Sequence, residues 1–100
     1  MADNGLRVSA ADVFAYLGIS AEADDVIERN VERQLKAADR FMQSAVSPDY
    51  PRGDPRAQEL TVMIAAELYQ NRGVLSAKAE NAVRRIASDF MLQLRLEGSA

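Results

Sequence analysis

The sequence predicts an all-α fold of four helices, short, long, medium and medium in length, packed as a small helical bundle with a Pro-rich loop between helices 2 and 3. Apolar residues recur at steps of three and four, which is the period of an amphipathic helix. Capping residues precede three of the predicted helices, and all three prolines fall within residues 46–55. At 100 residues the chain fits one domain, residues 1–100, with flexible termini expected at 1–8 and 97–100.

The first two helices are predicted from caps, charges and a buried stripe. Ser9 can cap a short helix over Ala10–Leu17, and Gly18 stands at the C′ position that glycine favours. A long second helix is expected over Glu22–Ala45, because acidic residues crowd its first turn, where the helix dipole favours negative charge. The residues of its expected buried stripe are Ile27, Val31, Leu35, Ala38, Met42 and Ala45. Val26 and Phe41 are expected to widen that stripe.

The last two helices follow the loop. Asp54 is the expected N-cap, and Pro55 the first residue, of a third helix that runs to about Asn71. Ser76 is expected to cap a fourth helix that ends near Leu96. The expected core residues are Ala57, Leu60, Ile64 and Leu68 in the third helix, and Val83, Ile86, Ala87, Phe90 and Leu94 in the fourth. Residues 90–96 also alternate with a strand's period of two, but helix is favoured because no break precedes them.

The composition argues against an enzyme. His and Cys are both absent, so serine-type or cysteine-type triads, disulfides and imidazole or thiolate metal sites are unavailable. Glycines occur singly, so no phosphate-binding loop is expected. The acidic cluster of Asp24, Asp25 and Glu28 could hold a cation, but favourable charge at a helix start explains it better. We therefore expect no catalytic residue, no cofactor and no metal.

Targeting signals and net charge limit where the protein is expected to act and what it is expected to bind. No apolar run of about 18 residues is present and the N-terminus lacks a signal-peptide pattern, so we expect cytoplasmic assembly and no membrane contact. The net charge of -3 argues against broad nucleic-acid binding. Residues 1–50 carry five Lys and Arg against nine Asp and Glu, and residues 51–100 carry seven against six. This asymmetry fits either solvated helix faces or complementary contact between copies.

The fourth helix carries surplus apolar residues. If Phe90 and Leu94 face the core, Leu92 and Leu96 lie about 200° around the helix, on its opposite side. Met91 lies between the two faces. Two leucines stacked at a four-residue step form a patch, which indicates either an irregular terminus or a partner surface.

Residues 8–20 resemble the opening of excisionase-type helix-turn-helix DNA-binding proteins, in which a short helix ending in a Tyr-Leu-Gly turn precedes a recognition helix. Here that stretch ends Ala15-Tyr16-Leu17-Gly18-Ile19-Ser20. A recognition helix needs basic or amide side chains near its start, whereas this one begins with acidic residues that repel phosphate. A small DNA-binding regulator is therefore the alternative hypothesis.

A longer resemblance covers residues 8–96. The order of helices, the stretch 15–19 and the acidic start of the long helix at 22–25 are similar to the head–tail connector family of tailed bacteriophages, also described as adaptor or DNA-packaging proteins. The most specific part is Ile64-Ala65-Ala66-Glu67-Leu68-Tyr69-Gln70-Asn71-Arg72-Gly73, an apolar helix that closes on an aromatic residue, a polar pair and Arg. The final helix, ending Phe90-Met91-Leu92-Gln93-Leu94-Arg95, also fits.

The resemblance implies a structural role. Such proteins form a ring of twelve or a similar number of copies under the portal in the virion neck, extend the DNA channel and dock tail or head-completion proteins. The expected partners are thus further copies of the chain, the portal protein and tail components, with only non-specific contact to packaged DNA. The candidate partner-interface residues are Met91, Leu92, Leu96, Tyr69 and Arg72. The candidate channel-facing basic residues are Arg52, Arg56, Arg84 and Arg85.

Overall fold

The computed structural model describes residues 7–18, 25–71 and 74–98 and confirms the all-α fold with four helices. These are α1 (Ala10–Leu17), α2 (Asp25–Ala45), α3 (Pro55–Gln70) and α4 (Ala77–Gly98). The described residues contain no strand. The predicted start of the second helix at Glu22 lies outside the described residues.

The predicted caps form. The backbone N–H of Ser9 donates to Asp12 Oδ2 at 2.8 Å, and Gly18 ends α1 in the left-handed conformation with a φ of 75°. Only glycine adopts that region without steric cost, which explains why α1 stops there. Asp54 Oδ1 accepts from the N–H of Arg56 at 2.8 Å at the start of α3. Ser76 Oγ accepts from the N–H of Ala79 at 3.1 Å and so caps α4.

Helix α3 is the centre of the bundle, packed against α1, α2 and α4. Helix α2 packs mainly on α3 and also contacts α4, as expected. The core contains the predicted residues of the third helix together with Val13, Phe14, Val31, Leu35, Ala38, Met42, Val83, Ala87 and Phe90. Two core predictions are wrong: Val26 is 71% exposed and Ile86 is 43% exposed. Ile86 lies at the edge of its stripe, where a rotation of a few tens of degrees turns a side chain to solvent, whereas Val26 lies about 150° from the middle of the α2 stripe.

Helix α4 settles the choice between helix and strand at residues 90–96, because the helix continues unbroken to Gly98. Residues 97 and 98, which were expected to be flexible, are thus helical, and Glu97 pairs with Arg56 at 2.9 Å. At the other end, Val8 packs on the core, while residues 1–6 lie outside the described part. No helix in the described ranges is long and apolar enough to cross a membrane.

Candidate docking surface on helices α1, α3 and α4

A groove of about 460 Å³ opens between α1, α3 and α4. Its apolar lining is Tyr16, Leu60, Met63, Ile86 and Phe90. Leu60 and Phe90 form its buried floor, whereas Tyr16 is 55% exposed. Exposed apolar side chains around a concave surface are typical of a binding site, because covering them removes apolar area from water.

Arg56 lines the groove and connects α3 to α4. Its guanidinium donates to Asp54 Oδ2 at 2.7 Å, Glu97 Oε2 at 2.9 Å and Gln93 Oε1 at 2.8 Å. The guanidinium also lies 5.2 Å from the centre of the Phe90 ring. These contacts raise the pKa of Arg56, and its hydrogen bonds lower the pKa of Asp54 to about 2. Arg56 therefore stays charged and structurally occupied.

The remaining rim of the groove is acidic. Glu59 on α3 and Asp89 on α4 line it, and both carboxylates are exposed. Neither makes an ion pair within the described ranges. This rim therefore presents two carboxylates that make no ion pair in the described ranges, beside an apolar floor.

The outer face of α4 extends this surface. Leu92 is 55% exposed and Leu96 is 65% exposed, in agreement with the predicted orientation, while Phe90 is buried at 3%. Asp89 precedes Leu92 by three residues and Leu96 by seven, so these side chains share one side of the helix. The groove and the two leucines thus adjoin along α4.

The other predicted interface residues are less prominent. Met91 and Tyr69 are half-buried, and Tyr69 packs against the core. Arg72 lies outside the described residues. The structure therefore brings Leu92 and Leu96 together on one exposed face of α4, whereas Tyr69 lies on α3.

Three of the four proposed channel-facing arginines are already paired. Arg52 binds Asp39 at 2.9 Å, Arg56 binds Asp54 and Glu97, and Arg84 binds Glu80 at 2.9 Å. Only Arg85 is exposed with no ion pair in the described part of the chain.

Four further cations that make no ion pair in the described residues lie on α2, and none of them is among the predicted site residues. They stand at steps of four, three and four residues, all exposed, and comprise Arg29, Arg33, Lys36 and Arg40. This spacing places them in one row on the side of α2 opposite its buried stripe. The helical period of the charges was the signal that could have revealed the row.

A second feature missed from the sequence is a buried polar cluster under the Pro-rich loop. Asp39, 8% exposed, accepts hydrogen bonds from Tyr50 Oη, from Arg52 Nε at 2.9 Å and from Gln43 Nε2 at 2.8 Å. Burial alone would raise the pKa of Asp39, but these hydrogen bonds outweigh burial and lower it. Burial and the bond to Asp39 raise the pKa of Tyr50 to about 12. The cluster fastens the loop to α2.

Comparison with known proteins adds no further identification. No family model, no curated protein and no solved structure matches the chain. Among the described residues, no group of three or more acidic side chains is placed to hold a metal ion. The candidate site is therefore defined by its geometry, as an apolar groove with an acidic rim beside two exposed leucines.

Proposed function

We propose that the chain is a structural subunit of the head–tail connector in a tailed phage or prophage. In this role it forms a ring below the portal, extends the DNA channel and docks tail proteins. The observation that carries the proposal is the exposed pair Leu92 and Leu96 beside the groove. A chain of this size gains from covering such apolar area with a partner.

The polar contacts support rigid presentation of this surface. Arg56 bridges the start of α3 and the end of α4 through Asp54 and Glu97, so the last turns of α4 are fixed against α3. Assembly proteins benefit from such preorganisation, because less side-chain and helix motion must be lost on binding.

The proposal is tested by mixing the purified chain with the portal protein from the same genome and imaging the complex by electron microscopy. We expect an additional ring of density on the tail-facing side of the portal. Portal rings that remain bare at micromolar concentrations of the chain contradict the proposal.

The alternative function, an excisionase-like helix-turn-helix regulator, would require α2 to read duplex DNA. The first described turn of α2 carries Asp25 and Glu28, whose charge repels phosphate. We expect no sequence-selective duplex binding at physiological salt. A nanomolar, sequence-selective mobility shift would favour the regulator over the connector.

A further inference from the structure

We infer that copies of this chain associate head to tail, with the basic outer face of α2 from one copy seated on the acidic-rimmed groove of the next. The basic face is defined by Val26, Arg29 and Arg33, and it continues along α2 to Arg40. The inference rests on the proposed assembly function and names the two surfaces that meet.

The α2 side of the contact is an exposed apolar residue next to two arginines. Val26, Arg29, Asn30 and Arg33 line one shallow hollow on α2. Val26 is 71% exposed, and covering this apolar side chain with a partner would be energetically favourable. Neither arginine makes an ion pair in the described part of the chain, whereas Arg52, Arg56 and Arg84 all do.

The groove side has the complementary chemistry. Tyr16 and Ile86 offer exposed apolar surface, and Glu59 and Asp89 stand above them as unpaired carboxylates. An arginine carries three methylene groups below its charged head, so its stem can cover apolar surface while the guanidinium reaches a carboxylate. A surface with Val26 next to two arginines matches this groove in both polarity and charge.

One molecule cannot bring the two surfaces together by itself. The groove is lined by α1, α3 and α4, and no residue of α2 reaches it. On α2, the basic face points away from Val31 and Leu35, which pack into the core. Each copy therefore carries the two contact surfaces on different sides. Their pairing is a heterologous interface, which closes into a ring or extends as a filament.

The pairing differs from the one suggested by the charge count along the sequence. That count places the acidic excess in residues 1–50 and the basic excess in residues 51–100. Once internal ion pairs are removed, four of the described cations that remain lie along one face of α2 in the first half, namely Arg29, Arg33, Lys36 and Arg40. The free carboxylates of the groove, Glu59 and Asp89, lie in the second half. It is these unpaired charges that are available for contact with a neighbour.

Cross-linking tests the geometry, because the natural chain has no cysteine. We expect the double variant Val26→Cys/Ile86→Cys, treated with a short bis-maleimide, to give a ladder of dimers, trimers and larger species. Each single variant alone should give no ladder, and a mixture of the two singles should stop at dimers. The matched control is Ser44→Cys/Ile86→Cys, since Ser44 is exposed on the same helix about 27 Å from Val26.

Charge exchange tests the chemistry. The variants Arg29→Glu/Arg33→Glu and Glu59→Lys/Asp89→Lys should each lose association in sedimentation velocity, because each then carries like charges on both surfaces. Mixing the two variants should restore association, since each new surface complements its counterpart. The matched control Asp49→Lys/Glu67→Lys has the same net charge as the second variant but keeps both contact surfaces, so it should associate like the natural chain.

The two proposals fail separately. Double-cysteine chains that cross-link no more than the Ser44 control, both alone and on portal rings, overturn the head-to-tail contact. Rings on the portal that persist in both charge-reversed variants also overturn it, while leaving the connector role standing. A cross-linked ladder from a chain that never binds portal supports the contact and contradicts the connector role.

Discussion

The buried carboxylate Asp39 offers the sharpest test of how the loop is held. Replacing Asp39 by Ala removes the acceptor shared by Tyr50, Arg52 and Gln43. Arg52 can turn to solvent, because its side chain is 23% exposed, but the Tyr50 side chain is nearly enclosed at 3%. Leaving a buried donor unsatisfied costs about 1–3 kcal/mol, and a hydrogen bond to a charged group contributes about 1.5–3 kcal/mol.

Since these effects overlap in one network, we expect Asp39→Ala to lower the free energy of unfolding by about 2–4 kcal/mol. The matched variant Tyr50→Phe keeps the ring and leaves Asp39 two other donors, so it should cost only about 1 kcal/mol. Urea unfolding followed by far-UV circular dichroism measures both, and the double variant gives their coupling. A loss below about 0.5 kcal/mol for Asp39→Ala, the range of ordinary surface changes, would refute the role of this cluster.

The fold raises the pKa of Tyr50 from 10.0 to about 12, so the folded state holds this proton more tightly than the unfolded state. The resulting stabilisation is present below pH 10 and should be lost between pH 10 and 12. Tyr50→Phe should show a smaller loss of stability in an alkaline unfolding series. The pKa of Asp54 is lowered to about 2, so its stabilisation should be present above pH 4 and lost as the pH falls towards 2. Asp54→Ala should cost about 0.5–2 kcal/mol at neutral pH as a lost N-cap. Phe90→Ala should cost about 3–5 kcal/mol, whereas Leu92→Ser/Leu96→Ser should leave thermal unfolding of the monomer nearly unchanged; equal losses would place the leucines in the core.

Local signals predicted the helices well. Ser9, Gly18, Asp54 and Ser76 act through atoms within four residues of themselves, so their roles are legible in the sequence. The period of three and four residues likewise predicted that Leu92 faces away from the core, and Leu92 is exposed in the structure.

Long-range polar contacts could not be predicted in this way. Asp39 and Tyr50 are separated by 11 residues and by a loop whose path no periodicity describes. Arg56 and Glu97 are 41 residues apart, so their ion pair depends on how α4 crosses α3. The arginines proposed to face a channel were chosen for their charge alone, and tertiary structure determines whether a charge is already compensated.

Binding to the portal by the double variant Leu92→Ser/Leu96→Ser tests the central claim, that the outer face of α4 is a partner surface, most directly. Each leucine is a little more than half exposed. Covering that exposed part at an interface contributes about half of the 1.5–3 kcal/mol that burial of a whole leucine side chain contributes. The pair together contributes about 1.5–3 kcal/mol, which is about a 10-fold to 150-fold change in Kd. We expect that weakening in a titration of portal rings, with the free energy of unfolding unchanged. Portal binding equal to that of the natural chain would contradict the claim.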